Sequence, residues 1–124
     1  RRMKDHQVII GTRHETTCAP EIAATVAAIF TRHGFEVHGN VSGYAGGNIV
    51  TTYGQPAARQ VHALQLEINA SLLMATSRDE FIASVSRGEV PEKAEANITR
   101  VRACLREVLA ALPTVLRTLH EGGR

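Results

Sequence analysis

The sequence predicts an α/β fold, a three-layer α/β/α arrangement around a largely parallel or mixed sheet, and three observations predict it. Val8-Ile9-Ile10 is a wholly apolar run closed by Gly11, which suits a strand buried on both faces. Ile22, Val26, Ile29 and Phe30 then recur at helical spacing, and Phe35 to His38 alternates apolar and polar residues as a second strand would. A longer apolar stripe at steps of three and four fills the last quarter of the chain. Strands interleaved with helices argue for a layered α/β domain.

Each element has its own warrant. The polar turn from Thr12 to Thr17 leads to Pro20, whose missing N–H costs nothing at a helix start. Gly34 supplies the stop for that helix. From Gly39 to Gly54 glycines mingle with Ser42, Asn40, Asn48, Tyr44 and Tyr53, which reads as a long loop or irregular hairpin. Val61 to Ile68 reads as the next strand. Ser77 and Glu80 have the offset of a capping box, so a short helix is expected from about Arg78 to Arg87, stopped by Gly88. Pro91 opens the last element, where Ala94, Ile98, Val101, Leu105, Val108, Leu112, Leu116 and Leu119 form one stripe. Pro113 cannot donate to the carbonyl of Leu109, so a kink or a break is expected there.

With 124 residues the chain is expected to form a single domain over residues 1–124. Its 14 Lys and Arg against 12 Asp and Glu give a formal charge of +2, and the basic residues are scattered. That is no footprint for nucleic acid. No stretch approaches the ~20 apolar residues a membrane span needs, and the polar start carries no signal core. The expected setting is cytoplasmic, with Cys18 and Cys104 as two reduced thiols. A start at Arg1 that runs at once toward an apolar strand suggests a chain continuing a structure begun elsewhere.

The chemistry-bearing stretch is Tyr44 to Pro56 followed by Val61 to Asn69. Along a strand Gln65 and Glu67 share one face, while His62, Leu64, Leu66 and Ile68 share the other. A carboxylate flanked by Leu66 and Ile68 has its charged form disfavoured, which suits a general base or acid; the bland alternative is a surface or ion-paired glutamate. Both the glycine-rich loop and the end of the 61–68 strand are expected beyond the carboxyl ends of the sheet strands, where ligands bind in such folds. His62 reads as a satisfied core histidine and His33 as a helix-terminal one. His14 lies in a turn of the kind that often carries function. Cys18 sits near a helix start that could activate it. No HExxH pair is present, so no complete zinc site is legible and no metal ligand is assigned. Gly43, Gly46 and Gly47 precede no Gly-Lys-Ser/Thr, which argues against a nucleotide cradle.

Together, Tyr44-Ala-Gly46-Gly47, Ile49, Tyr53-Gly-Gln-Pro56 and Val61-His-Ala-Leu-Gln65-Leu-Glu67-Ile-Asn69 closely resemble the second half of the N-formylglutamate amidohydrolases. Ile10-Gly-Thr-Arg-His14, Thr17-Cys18 and Leu72-Leu-Met74 are similar to flanking segments of the same family. The resemblance implies a zinc-dependent, zinc-exopeptidase-like hydrolase, related in fold to the metallocarboxypeptidases, that removes a formyl or similar acyl group from an acidic amino acid. It implies Glu67 as general base, with Gly46, Gly47, Asn48, Tyr53 and Gln65 lining the pocket of a small N-acyl amino acid. It also implies zinc held by ligands outside this chain, on a missing N-terminal segment or a second chain. Val50, Thr51 and Thr52 stand where family members usually carry a basic residue. A rival reading is a binding or structural module that keeps the fold without the chemistry.

Overall fold

A computed structural model of the chain describes residues 6–122. Three strands, β1 (Val8–Gly11), β2 (Val37–Gly39) and β3 (Gln65–Ile68), form a sheet of order β2-β1-β3. The expected α/β fold with a mixed sheet is present: β2 runs parallel to β1, with Ile9 opposite His38, whereas β3 runs antiparallel, with Ile9 opposite Glu67 and Gly11 opposite Gln65. Val8, Ile9 and Ile10 are buried, as their apolar run predicts for a central strand.

Helix α1 (Pro20–Arg32) has Pro20 at its first position and buries Ile22, Val26, Ile29 and Phe30. It ends where Gly34 takes φ +87° and the Phe35 N–H returns to the carbonyl of Phe30. Pairing sorts the sheet into two faces. Val8 and Ile10, with Val37, Leu66 and Ile68, join Val26, Ile29, Phe30, Val101, Cys104 and Val108 in one hydrophobic cluster. Both long helices therefore bear on that face. The opposite face carries Ile9, Gly11, Gln65 and Glu67 and is approached by the glycine-rich loop.

That loop is less irregular than its composition predicts. It contains a helix, α2 (Asn48–Tyr53), because Gly47 acts as its N-cap and its carbonyl receives both the N–H and the Oγ1–H of Thr51. A one-turn helix, α3 (Pro56–Arg59), follows and is closed by Gln60 at φ 55°. The strand expected over Val61 to Ile68 is shortened to Gln65–Ile68. Its partner β1 stops at Gly11, so the ladder has nothing to pair with upstream of Gln65. Residues 61–64 are satisfied elsewhere, Val61 against Gln55 and Ala63 against Thr17.

A 3-10 turn at Ala70–Leu73 and helix α4 (Arg78–Ser86) lead to the last helix. The Ser77 hydroxyl caps α4 by accepting from the Glu80 N–H. Glu80 does not complete the box, because its carboxylate pairs with Arg87 at 3.2 Å. Helix α5 (Glu95–Gly122) starts four residues beyond Pro91 because Glu92 to Ala94 is first held alongside Leu73 to Ala75 by backbone bonds. It is the long C-terminal helix expected and runs as one element through Pro113, so of the kink or break foreseen there a break into two helices does not occur. Leu109 and Pro113 both lie on the exposed side, where water can serve the carbonyl that Pro113 leaves without a donor. The buried stripe also differs by one position: Leu105 is 39% exposed, and Cys104 takes the core place beside Val101 and Val108.

Candidate active site

The site is assembled at the carboxyl end of β1. Gly11 is the last strand residue, and a Cβ there would stand 2.7 Å from the backbone of Tyr44 and of Ala45. Only a glycine admits this crossing. The loop thereby passes over the sheet edge and delivers Gly46 and Gly47 to Gln65. Because β3 is antiparallel, its amino end and not its carboxyl end lies at this loop, which corrects the expectation that the carboxyl end of the strand would be there.

Gly47 donates its N–H to Oε1 of Gln65 at 3.2 Å, and Nε2 of Gln65 donates to Oε1 of Glu67 at 2.5 Å. Side-chain alternation on β3 makes this second bond possible, since Gln65 and Glu67 share a face. Both residues are half-buried. The second carboxylate oxygen of Glu67 has no hydrogen bond among the described residues. Gly46 takes φ +129°, and a Cβ there would lie 2.7 Å from Cγ2 of Val50 and 3.2 Å from Cγ of Arg13. Asn48 opens α2 on its exposed side, and Tyr53 closes it with 65% of its surface exposed. Of the six site residues expected, Gly46, Gly47, Gln65 and Glu67 are thus adjoining; Asn48 and Tyr53 flank them on α2 without a side-chain bond to them.

The turn after β1 is unusual. Arg13, His14 and Glu15 take φ of 48°, 55° and 68° in succession, a left-handed run that costs residues with a Cβ about 1–3 kcal/mol each. Asn40 offsets part of that cost. Its Oδ1 accepts from the N–H of Thr12 at 2.9 Å and of His14 at 3.2 Å, while Thr12 Oγ1 accepts from the Glu15 N–H at 3.0 Å. The turn fixes Arg13 against the loop: its N–H bonds the Ala45 carbonyl at 2.7 Å and Nη1 bonds the Gly46 carbonyl at 3.3 Å. Spacing gave no sign of Arg13 or Asn40. Asn at a strand end, tolerant of the left-handed region, was the available signal.

The remaining candidates lie apart from this cluster. Cys18 is fully buried, its thiol pushed up to about 11 by that burial, so the helix start does not activate it. Cys18 and Cys104 are both free thiols. His62 Nδ1 accepts the Ala19 N–H at 3.1 Å, but its buried Nε2 has no partner, so it is only half satisfied. Its pKa is lowered by burial first and by His120 second, with Glu21 opposing. His33 caps α1 and meets Glu107 at 2.8 Å. A groove of about 470 Å³ between α1 and α5 is lined by Thr25, Ile29, Arg32 and Glu107 and belongs to the helical face, away from Glu67.

No three His, Cys, Asp or Glu side chains among the described residues come together in a way that could hold a metal ion. The groups bonded around Glu67 are an amide and backbone, which are not the nitrogen, sulfur and carboxylate donors zinc takes. The described residues therefore do not make a zinc site. No helix among them is long and apolar enough to cross a membrane.

Comparison with known proteins bears on this cluster directly. The family model described as N-formylglutamate amidohydrolase matches residues 2–74, a span that contains β1, the glycine-rich loop and β3. Among solved structures, an N-formylglutamate amidohydrolase from Ralstonia eutropha JMP134 superposes with a TM-score of 0.64 at 24% identity, over 94% of this chain and 35% of its own. The chain thus spans about a third of that enzyme's length, and the likeness shows a shared fold. No curated protein matches.

Proposed function

Because this chain belongs to the N-formylglutamate amidohydrolase family, we propose that it carries the general base and part of the pocket of a hydrolase that cleaves the amide of an N-formyl or N-acyl amino acid. The observation supporting this most is the Gly47–Gln65–Glu67 relay, which fixes one oxygen of Glu67 and leaves the other open. In this reading Glu67 removes a proton from the water that attacks the acyl carbon. The same carboxyl then delivers that proton to the amine nitrogen as the C–N bond breaks, giving formate, or another acid, and the free amino acid. Gln65 holds the carboxylate in place. Gly46, Gly47, Asn48 and Tyr53 line the side from which the acyl amino acid enters.

Zinc, in this proposal, is held by polypeptide outside residues 6–122, on a further segment or a second chain, because the described residues do not supply its ligands. A cytoplasmic setting belongs to the same proposal and agrees with two free thiols. The rival reading, a binding or structural module without catalysis, draws on Thr51 and Thr52 standing where the family resemblance leads one to expect a basic residue. Zinc stoichiometry separates the two: bound metal in the assembled protein supports the hydrolase, and a metal-free, stable complex with a partner supports the module.

Substitution Glu67→Gln tests the base. Hydrolysis of an N-formyl amino acid by the complete protein is expected to fall by about 10²–10⁴-fold, with the melting temperature nearly unchanged because the Gln65 bond is retained. An unchanged rate removes Glu67 from the chemistry.

A further inference from the structure

The peptide unit joining Gly46 and Gly47 is gripped at both ends. Arg13 Nη1 donates to its oxygen at 3.3 Å, and its N–H donates to Gln65, which in turn holds Glu67. One peptide plane and one side-chain amide therefore separate a guanidinium from the proposed base. The aliphatic stem of Arg13 lies across Gly46, with Cγ and Cδ at 3.2 and 3.3 Å from the place a Cβ would occupy. Stem and backbone are both strapped to the loop, so the head group is aimed while remaining exposed.

The charge of that head group is unspent. Arg13 makes no ion pair among the described residues, and of its five N–H donors one is used, on Gly46. No Lys or Arg occurs between Gly39 and Ala58, so the loop has no cation of its own. A rigidly presented, unpaired guanidinium favours a planar anion that accepts two parallel N–H bonds, as a carboxylate does. The three-residue left-handed turn that carries Arg13 is stabilised by Asn40 and Thr12, which makes its presentation a built feature of the fold.

We infer that Arg13 is a specificity-determining residue, pairing through its guanidinium with a carboxylate of the N-acyl amino acid while Glu67 serves the acyl group. The inference rests on the hydrolase reading above. It accounts for how a loop without a basic residue would still prefer an acidic substrate.

Calorimetric titration of the complete protein, with the polypeptide that completes the pocket, against N-formyl-L-glutamate and its uncharged diamide tests it by binding rather than turnover. Wild-type protein is expected to bind the diacid at least about tenfold more tightly than the diamide, the size of a charge-assisted contact. Arg13→Gln, which keeps Cγ and Cδ over Gly46 and removes the charge, should bring the two affinities to within about twofold of each other; Arg13→Lys should restore part of the preference. Circular dichroism confirms that each variant is folded. Retention of the preference in Arg13→Gln overturns the assignment and leaves the hydrolase reading standing. Failure of wild-type protein to bind either compound overturns that reading and the inference with it.

Discussion

At the scale of single residues, the site depends on positions where a side chain is excluded as much as on those where one acts. Gly46→Ala would place a methyl 2.7 Å from Val50 Cγ2 at a φ of +129°, so a loss of about 1–3 kcal/mol in urea denaturation is expected. If the proposed hydrolase reading holds, binding of an acyl amino acid by the complete protein should weaken further than stability, because the 46–47 peptide would move away from Arg13 and Gln65. The pairing of Gln65 with Glu67 was legible in the sequence, since side-chain alternation follows from backbone geometry alone. Arg13 was legible only as part of the Ile10 to His14 segment, without a role. Its position depends on three residues entering a region of φ that side chains disfavour, and on a loop returning from 33 residues downstream. His62 was legible only in part: one nitrogen is satisfied by Ala19, and the other is left orphaned beside His120.

At the scale of elements, α1 and α5 are joined by more than apolar contact. Glu107 on α5 receives Arg32 at 2.9 Å and His33 at 2.8 Å, and Arg100 stacks on Phe35 with 4.4 Å to the ring centroid while donating to the His33 carbonyl. The bonds from His33 and then Arg32 hold the Glu107 carboxyl below its ordinary value. The unfolded chain therefore binds more protons in that window, so this contribution is fully present above the ordinary carboxylate pKa of about 4.3 and disappears as pH falls through the lowered folded value. Glu107→Gln should lower the melting temperature at pH 7 by a small amount and have no effect near pH 2, measured by calorimetry across that range. The helices themselves were legible from period and caps. Their limits were not, because Glu92 to Ala94 is recruited by the backbone of Leu73 to Ala75 and because the segment before Gln65 has no strand to pair with.

At the scale of the whole molecule, one face of the sheet is committed to the helical core and the other to the candidate site. Cys18 and Cys104 belong to the interior, both with 0% exposure, and burial raises both thiols. Neither should react with a disulfide reagent at pH 8 in the native state, and both should react fully in denaturant, with a modification rate that follows global unfolding. Fast native-state modification would show that the core opens locally. Since β3 enters antiparallel, Glu67 is aimed by what precedes its strand, and Ala63 is tied to Thr17 by both its N–H and its carbonyl. That knot sets the strand like a detent on a sliding bolt. One residue inserted after Ala63 would turn the carboxylate through the sheet onto the helical side, and two would restore its side but displace it by about 7 Å, so the sparing, fixed length of this short approach governs the reach of the acid.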